Sequence, residues 1–535
     1  MTIVQETKIN IIGAGLAGLS AALELGKAGI PCRLISAQAP ERAQSNLAEG
    51  GINACLDVMG EDDHVAEHFA DTCRGGCDLA DPNMVAGLCL AAPEIIKELQ
   101  RYGVPFQREN GRLIQRNFGG QKKKRTAYVK SSTGKMITST LIEAVRRYEC
   151  DGLTERFAHH LFQDLLLRDG QCCGVSVYDT YRGELLKLPG LVIFAGGGLN
   201  GFFAGKTTGT TANTGNAAAL LFYKGVEMAD LEMIQYHPTT VQIPGKRLLV
   251  SEAARGEGGR LFYKDAAGKP KYFMEEKYGS GGNLMPRDVV AREMTVCGRQ
   301  VYLDMTGLSD HIWEKRLNDL REELIHYLSL DPKTQPVPVS PGIHFFMGGI
   351  RVDEGHRSNI KGLYAAGECA CAYHGANRLG GNSLLAAVYG GKCAAKSVLA
   401  DRKLYDDFSV DAEAGIVTDN GREVTEDLSE LLYDSLSVYR TEAGMRKGLE
   451  DVLAKKAMYE TAERLTVARL LLAEAMLQSA LARKESRGAH YVSDAPDRAE
   501  QMRKITTARY DGRAVEIGFA EVPPLREAWK EKLGI

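Results

Sequence analysis

The stretch KINIIGAGLAGLSAALELGKAGIPCRLI, residues 8–35, decides the fold of this chain. It combines an apolar strand, a glycine-rich turn, an Ala- and Leu-rich helix and a second strand. Gly13, Gly15 and Gly18 permit a tight turn and a close backbone approach, and the helix that follows presents its N-terminus to an anion. The stretch therefore predicts a βαβ unit that binds the pyrophosphate of a dinucleotide.

The residues after the second strand narrow the choice of dinucleotide. An NAD-binding unit usually has an acidic residue there that binds the adenosine ribose, whereas this strand runs into Ser36-Ala37-Gln38. A plain NAD dehydrogenase is therefore disfavoured. A serine hydroxyl is still able to hydrogen-bond a ribose, and Ser36 is a candidate cofactor contact.

Two further apolar strands end in glycines, at 190–198 and 362–368. Three such junctions over so long a span predict one nucleotide-binding domain whose chain is interrupted by an insert. Apolar residues at helical spacing follow, and then a segment that contains prolines and looks extended. The predicted organisation is a discontinuous nucleotide-binding domain over 1–229 and 344–410, a capping domain over 230–343, a helical domain over 411–490 and a C-terminal tail over 491–535.

Composition disfavours a nucleic-acid-binding protein, a disulfide-rich protein and a membrane-spanning protein. The 535 residues include 66 Lys+Arg and 69 Asp+Glu, a formal charge of −3, which gives no reason to expect nucleic acid as a partner. The short basic run 122–125 is interpreted as solvated surface. Twelve irregularly spaced cysteines indicate a reducing compartment rather than a disulfide framework or a metal site. We expect no signal peptide and no transmembrane segment.

Several ordered motifs resemble the flavoprotein subunits of fumarate reductase and succinate dehydrogenase, a family that also includes L-aspartate oxidase. The resemblance covers nearly the whole chain and implies an α/β fold: a Rossmann-like FAD-binding domain with an inserted α+β capping domain and a C-terminal helical domain. The motifs are Ala48-Glu49-Gly50-Gly51, Arg116-Asn117-Phe118-Gly119-Gly120, Gln235-Tyr236-His237-Pro238-Thr239, 252–259, Pro286-Arg287-Asp288, 344–349, 374–384 and 485–490.

The resemblance also assigns roles to residues. His237, His344, Arg378 and Phe118 are implied to bind the substrate, and cationic or N–H donors of this kind suit a dicarboxylate. Arg287 is implied to deliver the proton, with Glu252 and Arg255 as its relay. The implied cofactor contacts, beyond the three glycines and Ser36, are Glu49, Gly50, Gly51, Gly197, Glu368, Ser383 and Leu384. No metal is predicted.

Three positions depart from the family pattern. Many respiratory members have a histidine before the Ala-Glu-Gly-Gly run that bonds covalently to the flavin, but this chain has Gln44 or Asn46 there, depending on the alignment. We therefore expect noncovalent FAD and a bias towards fumarate reduction. Asn216 stands where an aspartate is usual, which has no account from the sequence. Ser251 stands where threonine is usual and keeps the hydroxyl.

The prediction is the flavoprotein subunit of a fumarate reductase, cytoplasmic and peripheral at the inner face of the cell membrane. Its expected partners are an iron–sulfur subunit, because the chain has no cluster motif of its own, and through that subunit a membrane anchor. The alternatives are L-aspartate oxidase, a reductase of another enoate and a non-catalytic flavin-binding or assembly module. Phe118 stands where the oxidase typically has a glutamate for the substrate ammonium.

Overall fold

The central element of this computed structural model, which describes residues 2–3, 7–404, 422–459 and 464–535, is a five-stranded parallel sheet. Its strands are, in spatial order, Leu363–Ala365, Val192–Phe194, Ile9–Ile12, Cys32–Ser36 and Thr154–Ala158. Ile11 pairs with both Ile193 and Leu34, so the first predicted strand lies at the centre. Parallel order places the carboxyl ends of these strands at one edge.

Helices cover the central sheet and bury its apolar residues. The helix Leu16–Lys27 packs along the helix Asn382–Asp401. Other described helices of this domain are Val65–Gly75, Pro82–Tyr102, Thr133–Cys150 and Asn216–Tyr223, and its smaller sheets contain the strands Thr2–Ile3, Ile52–Asn53, Arg108–Glu109, Arg112–Leu113, Gln115–Arg116, Thr126–Ala127, His160–Arg168, Gln171–Asp179 and Glu184–Pro189.

The insert is built on two long antiparallel strands, Ile234–Ile243 and Val337–Phe346, which lead out of the nucleotide-binding domain and back into it. Gln235 pairs with Phe345 across them. The rest of its six-stranded sheet is Lys246–Leu249, Val301–Asp304, Arg260–Lys264 and Pro270–Lys271, and its helices are Ala253–Gly256, Phe273–Tyr278, Arg287–Val296, Asp310–Lys315 and Asn318–Leu328.

Three helices follow, Arg422–Ser435, Glu442–Met458 and Arg464–Ala482. The predicted boundary at 410/411 lies outside the described residues. In the described part of the chain, Arg464–Ala482 alone is long and apolar enough to cross a membrane, but 78% of its apolar window is buried inside the protein. We interpret it as a core helix of the fold, because its neighbours already cover its apolar surface.

The segment 491–535 is not simply extended. Its strands Lys504–Tyr510 and Val515–Glu521 form a hairpin that joins the strands Met228–Ala229, Gly349–Arg351 and Ala370–Cys371 in one sheet, and the helix Glu527–Leu533 follows. Arg483 holds the hairpin by donating to the carbonyl of Lys504 at 2.7 Å and to the Thr506 hydroxyl at 2.8 Å. These long-range contacts left no local signal in the sequence.

The basic run 122–125 is only partly surface, which corrects the interpretation from the sequence. Arg125 is fully buried and pairs with Asp63 at 2.8 Å and with Asp71 at 2.9 Å. Two buried carboxylates therefore explain the buried cation, because a buried charge needs partners. Lys122 and Lys124 remain exposed.

Candidate active site

One cavity of about 360 Å³ collects the predicted site residues. Such a volume lies within the range of small-molecule sites. The cavity runs from the carboxyl end of the central sheet to the two long strands of the insert. All predicted site residues line it except Gly18 and Arg255. It therefore joins the dinucleotide motif to the residues implied to bind the substrate.

The nucleotide end of the cavity is shaped by close backbone contacts. Gly13 has φ +112° and a Cβ on it would lie 2.1 Å from the carbonyl oxygen of Ala195. A Cβ on Gly18 would lie 1.9 Å from the carbonyl oxygen of Gly13, so Gly18 packs the helix onto the turn instead of facing the cavity. The helix Leu16–Lys27 has no acidic residue in its first turn. Its N-terminal partial charge thus remains available to a pyrophosphate.

Ser36 lines the cavity at the end of its strand. Its hydroxyl donates to the carbonyl oxygen of Gln38 at 2.7 Å. The hydroxyl oxygen keeps acceptor capacity for a ribose O–H, since only its hydrogen is used in this bond.

The turn Glu49-Gly50-Gly51 forms the middle of the cavity. Arg116 lies behind it, stacks 4.1 Å from the ring centroid of Tyr128 and donates from Nε to the Gly50 carbonyl oxygen at 3.2 Å. The Glu49 Oε2 atom is buried and has no hydrogen-bond partner in the described part of the chain. Burial raises the pKa of this carboxyl well above its usual value. The turn therefore presents a carboxyl group beside the cavity whose charged form is disfavoured by burial.

Gly197, Glu368, Ser383 and Leu384 line the opposite wall. Glu368 accepts a hydrogen bond from the Phe346 amide at 3.1 Å, and burial raises its pKa to about 7. Ser383 and Leu384 lie in the first turn of the helix Asn382–Asp401, whose N-terminus therefore also meets the cavity. Two helix N-termini and glycine-rich turns along one elongated cavity fit a dinucleotide such as FAD.

The far end of the cavity holds three candidate substrate ligands. The rings of His237 and His344 have centroids 5.1 Å apart, because their strands are neighbours in the insert sheet. The Arg378 guanidinium lies 4.3 Å from the ring centroid of Phe345, and its Nε has no partner among the described residues. Burial, with nearby arginines, lowers the pKa of both histidines well below the usual range. These groups present N–H donors and positive charge to an anion.

Arg287, Glu252 and Arg255 form a buried charge cluster next to that end. Arg287 donates to the Glu252 Oε2 atom from Nε at 2.8 Å and from Nη2 at 2.6 Å. Arg255 Nη2 lies 3.4 Å from the Glu252 Oε1 atom, which also accepts the Gly119 amide at 3.0 Å. Burial raises the pKa of Glu252, but the two arginines outweigh it and the pKa lies below its usual value. Glu252 is thus an anion between two cations, with Arg255 behind it and outside the cavity lining.

Phe118 closes this end of the site. Its side chain is buried, lines the cavity and contacts the turn at Gly50, where a Cβ would come within 2.8 Å of the ring. An apolar ring at this place can press on the carbon skeleton of a ligand. It offers no partner to an ammonium group.

Gln235 connects two predicted site residues, although its position in the sequence was not among the predicted site residues. Its Oε1 accepts from Arg287 Nη1 at 3.1 Å and its Nε2 donates to the Arg378 carbonyl oxygen at 2.8 Å. The sequence contained a signal for Gln235. It precedes His237 by two residues, and residues two apart on a strand face the same side of the sheet.

Two positions that depart from the family pattern now have structural partners. Gln44 lines the cavity and accepts the Thr210 amide at 2.6 Å, whereas the Asn46 amide nitrogen donates to the Pro40 carbonyl oxygen at 3.0 Å. Of these two residues, Gln44 is therefore the one that lines the cavity. Asn216 accepts from Arg469 Nη1 at 2.6 Å, so the neutral amide has a cationic partner on a helix of the C-terminal region.

No cysteine in the described part of the chain lines this cavity. All twelve cysteines are free. Among the described residues, no group of three or more His, Cys, Asp or Glu side chains is arranged to hold a metal ion. The side chains and turns of the cavity suit an organic cofactor at one end and an anion at the other, with His237, His344 and Arg378 as its ligands and Arg287 beside them.

Comparisons with known proteins agree with this geometry. Residues 9–384 match the FAD binding domain family, and residues 425–528 match the fumarate reductase flavoprotein C-terminal family. The chain is 35% identical over 560 residues to the succinate dehydrogenase flavoprotein subunit of Bacillus subtilis, covering 95% of this chain and 94% of that protein. It is 31% identical over 564 residues to the fumarate reductase flavoprotein subunit of Haemophilus influenzae, covering 94% of this chain and 92% of that protein. A structure of an E. coli quinol fumarate reductase variant superposes with a TM-score of 0.87 at 28% identity, covering 98% of this chain and 99% of that one.

Proposed function

This chain belongs to the succinate dehydrogenase and fumarate reductase flavoprotein family, and we propose that it is the flavoprotein subunit of a fumarate reductase. It is an FAD-dependent oxidoreductase of that type, and its reaction is the reduction of fumarate to succinate. The observation that carries the proposal is the convergence of His237, His344 and Arg378 on the cavity end that also contains Arg287.

The clamp suits a substrate with two carboxylates. Arg378 has no carboxylate hydrogen-bonded to it in the described part of the chain, so its charge is available to an anionic ligand. His237 and His344 remain neutral by their lowered pKa values and offer N–H donors. Phe118 covers the apolar middle of the ligand between these polar contacts.

When bound, reduced FAD supplies a hydride to one alkene carbon. Arg287 holds the proton for the other carbon at its guanidinium, and Glu252 and Gln235 fix that group through hydrogen bonds. An arginine is a reluctant acid, so it needs immediate reprotonation. Glu252 contacts it directly and Arg255 lies next in line, an order that suits a proton relay.

We propose that FAD is bound noncovalently. Ala43, Gln44, Ser45 and Leu47 line the cavity from segment 43–47, and Gln44 also accepts the Thr210 amide. None of these side chains is a histidine that could bond covalently to the flavin ring. A covalent link raises the flavin potential in the respiratory relatives. Its absence here favours fumarate reduction over sustained succinate oxidation.

L-Aspartate oxidase is the second candidate, and reduction of another enoate is the third. Phe118 disfavours the oxidase, because its ring occupies the cavity wall where an acidic side chain would meet an ammonium group. The complete clamp disfavours a monocarboxylate enoate. A non-catalytic module is disfavoured by the Arg287, Glu252 and Arg255 cluster, because a buried ion cluster is costly to keep without a use.

The proposed partners are an iron–sulfur subunit, which binds this chain directly, and a membrane anchor that is reached through it at the cytoplasmic face of the cell membrane. Two observations support this arrangement. Similar proteins are named as flavoprotein subunits, and the described residues contain no cluster site that could carry electrons away from a flavin.

The test is anaerobic oxidation of a reduced viologen dye by the purified, FAD-loaded chain, with fumarate, crotonate and no acceptor in parallel. We expect turnover with fumarate alone. Absence of fumarate turnover despite bound flavin contradicts the proposal, and L-aspartate oxidation is then measured on the same preparation. Sustained succinate oxidation by the isolated chain contradicts the proposed direction.

A further inference from the structure

The hydroxyl group of Thr208 contacts one of the clamp histidines from behind. Its Oγ1 atom lies 2.8 Å from His344 Nδ1, while the His344 ring lines the cavity. A neutral imidazole has one N–H group, so the two ring nitrogens have opposite roles. The partner of Nδ1 therefore decides what the Nε2 edge offers to a ligand.

The surroundings of Thr208 show which group donates. Its hydroxyl has two acceptors in reach, His344 Nδ1 at 2.8 Å and the Ile343 carbonyl oxygen at 3.4 Å. That carbonyl already accepts the Thr208 backbone N–H at 2.9 Å. The shorter distance and the otherwise unused acceptor both favour donation to Nδ1. The proton of the neutral His344 ring then lies on Nε2.

We propose that Thr208 is a positioning residue that fixes His344 as the Nε2–H tautomer, ready to donate to a substrate carboxylate. This inference rests on the proposed function, because it assigns the anion that His344 meets. The opposite tautomer would present a lone pair to an anion and repel it. Burial and the charges of Arg287 and Arg378 disfavour the imidazolium form, so the tautomer matters.

The backbone holds Thr208 in place. Thr207 forms a β-bridge with Ile343, and the Ile343 amide donates to the Lys206 carbonyl oxygen at 3.2 Å. The loop is thereby attached to the strand Val337–Phe346 that contains His344. These backbone contacts hold the Thr208 hydroxyl in a fixed position relative to the His344 imidazole.

The hydroxyl nearest to Nδ1 is placed differently at His237, where the Thr239 Oγ1 atom lies 3.4 Å away. The His237 Nδ1 atom lies 3.1 Å from the Thr239 carbonyl oxygen and 3.3 Å from the Thr239 amide nitrogen. The Thr239 hydroxyl donates its hydrogen to the much nearer Val250 carbonyl oxygen, at 2.7 Å, rather than to His237 Nδ1. A short hydrogen bond from a threonine hydroxyl to Nδ1 is therefore found at His344 and not at His237.

The first experiment needs no substrate. Histidine ¹⁵N spectra are recorded on the FAD-loaded wild type and on Thr208→Val and Thr208→Ser, with His344→Gln used only to assign the resonance. We expect His344 to be protonated at Nε2 in the wild type. Its Nδ1 resonance should show a hydrogen bond that Ser keeps and Val loses. Protonation at Nδ1 in the wild type would overturn the proposal, even if Thr208→Val failed to fold.

The second experiment measures steady-state fumarate reduction. Loss of the oriented donor should raise KM for fumarate about fivefold in Thr208→Val with kcat within about twofold, and Thr208→Ser should restore KM. Thr207→Val is the matched control, because the Thr207 hydroxyl bonds Asn200 and the Gly209 amide in the same loop without contacting His344. An equal KM increase in the control, or none in Thr208→Val, would refute the role. If the wild type does not reduce fumarate, the proposed function fails, while the spectra still decide the tautomer.

Discussion

Replacement of Arg287 by alanine tests the proton donor most directly. Arg287 makes two hydrogen bonds to Glu252, 2.6 and 2.8 Å long, and one to Gln235. Glu252 is 2% exposed, so the variant leaves a buried carboxylate with Arg255 and the Gly119 amide as its remaining partners. Breaking a buried pair costs about 3–5 kcal/mol, and we expect the lower end because these partners remain.

The catalytic effect should exceed what this loss of stability explains. A positioned acid contributes about 10²- to 10⁴-fold to rate, so kcat for fumarate should fall by that factor in Arg287→Ala. The assay is anaerobic viologen oxidation at saturating fumarate, with bound FAD measured by flavin absorbance and unfolding followed by thermal denaturation. We expect bound FAD to remain, because Arg287 lies at the substrate end of the cavity and away from the dinucleotide motif.

Arg292→Ala is the control for this experiment. Arg292 lies on the same helix, Arg287–Val296, and stacks 5.0 Å from the ring centroid of Tyr491 instead of facing the cavity. It should retain kcat within about twofold. A kcat for Arg287→Ala within tenfold of the wild type, with FAD bound, would show that another group delivers the proton.

Three further predictions address stability and the cofactor. Arg125→Met should lower the free energy of unfolding by about 3 kcal/mol in urea titrations, because it leaves buried Asp63 without a cation and Asp71 with Arg74 alone; an effect below about 1 kcal/mol contradicts the buried pairing. Burial lowers the pKa of His374 to about 3, so between pH 6.5 and that value the unfolded chain binds a proton that the folded chain does not. Wild type should thus lose about 1.4 kcal/mol of stability per pH unit more than His374→Phe as pH falls below 6.5, and equal pH slopes would show that the histidine is charged when folded. Acid precipitation should release all flavin into the supernatant, whereas flavin fluorescence on the denatured protein band would contradict noncovalent binding.

Much of the nucleotide-binding fold was readable from local sequence. Strand–glycine junctions recur where a parallel strand ends beside a cofactor. Residues 8–35, which hold two strands, together with 190–198 and 362–368 predicted four of the five central strands. The glycine positions in these junctions are set largely by steric contacts between backbone atoms. Gly18, for example, is required within the turn itself, because a Cβ there would lie 1.9 Å from the Gly13 carbonyl oxygen.

The substrate end was predictable only through the family resemblance. His237 and His344 are separated by more than a hundred residues, and their rings meet because two strands of the insert are antiparallel neighbours. For Arg125 the local sequence led to a wrong prediction. A basic run is typical of solvated surface, but Asp63 and Asp71, which are distant in the chain, pair with Arg125 in the interior.

The sequence by itself determined the dinucleotide turn, the family and the set of chemical groups, because these depend on residue type and local spacing. The tertiary structure decided which groups meet. It places Gln235 between Arg287 and Arg378 and Thr208 behind His344, and it joins the hairpin of segment 504–521 to the sheet that contains Met228–Ala229. Contacts between residues far apart in the chain depend on how whole elements pack, and no local pattern of side chains encodes that packing.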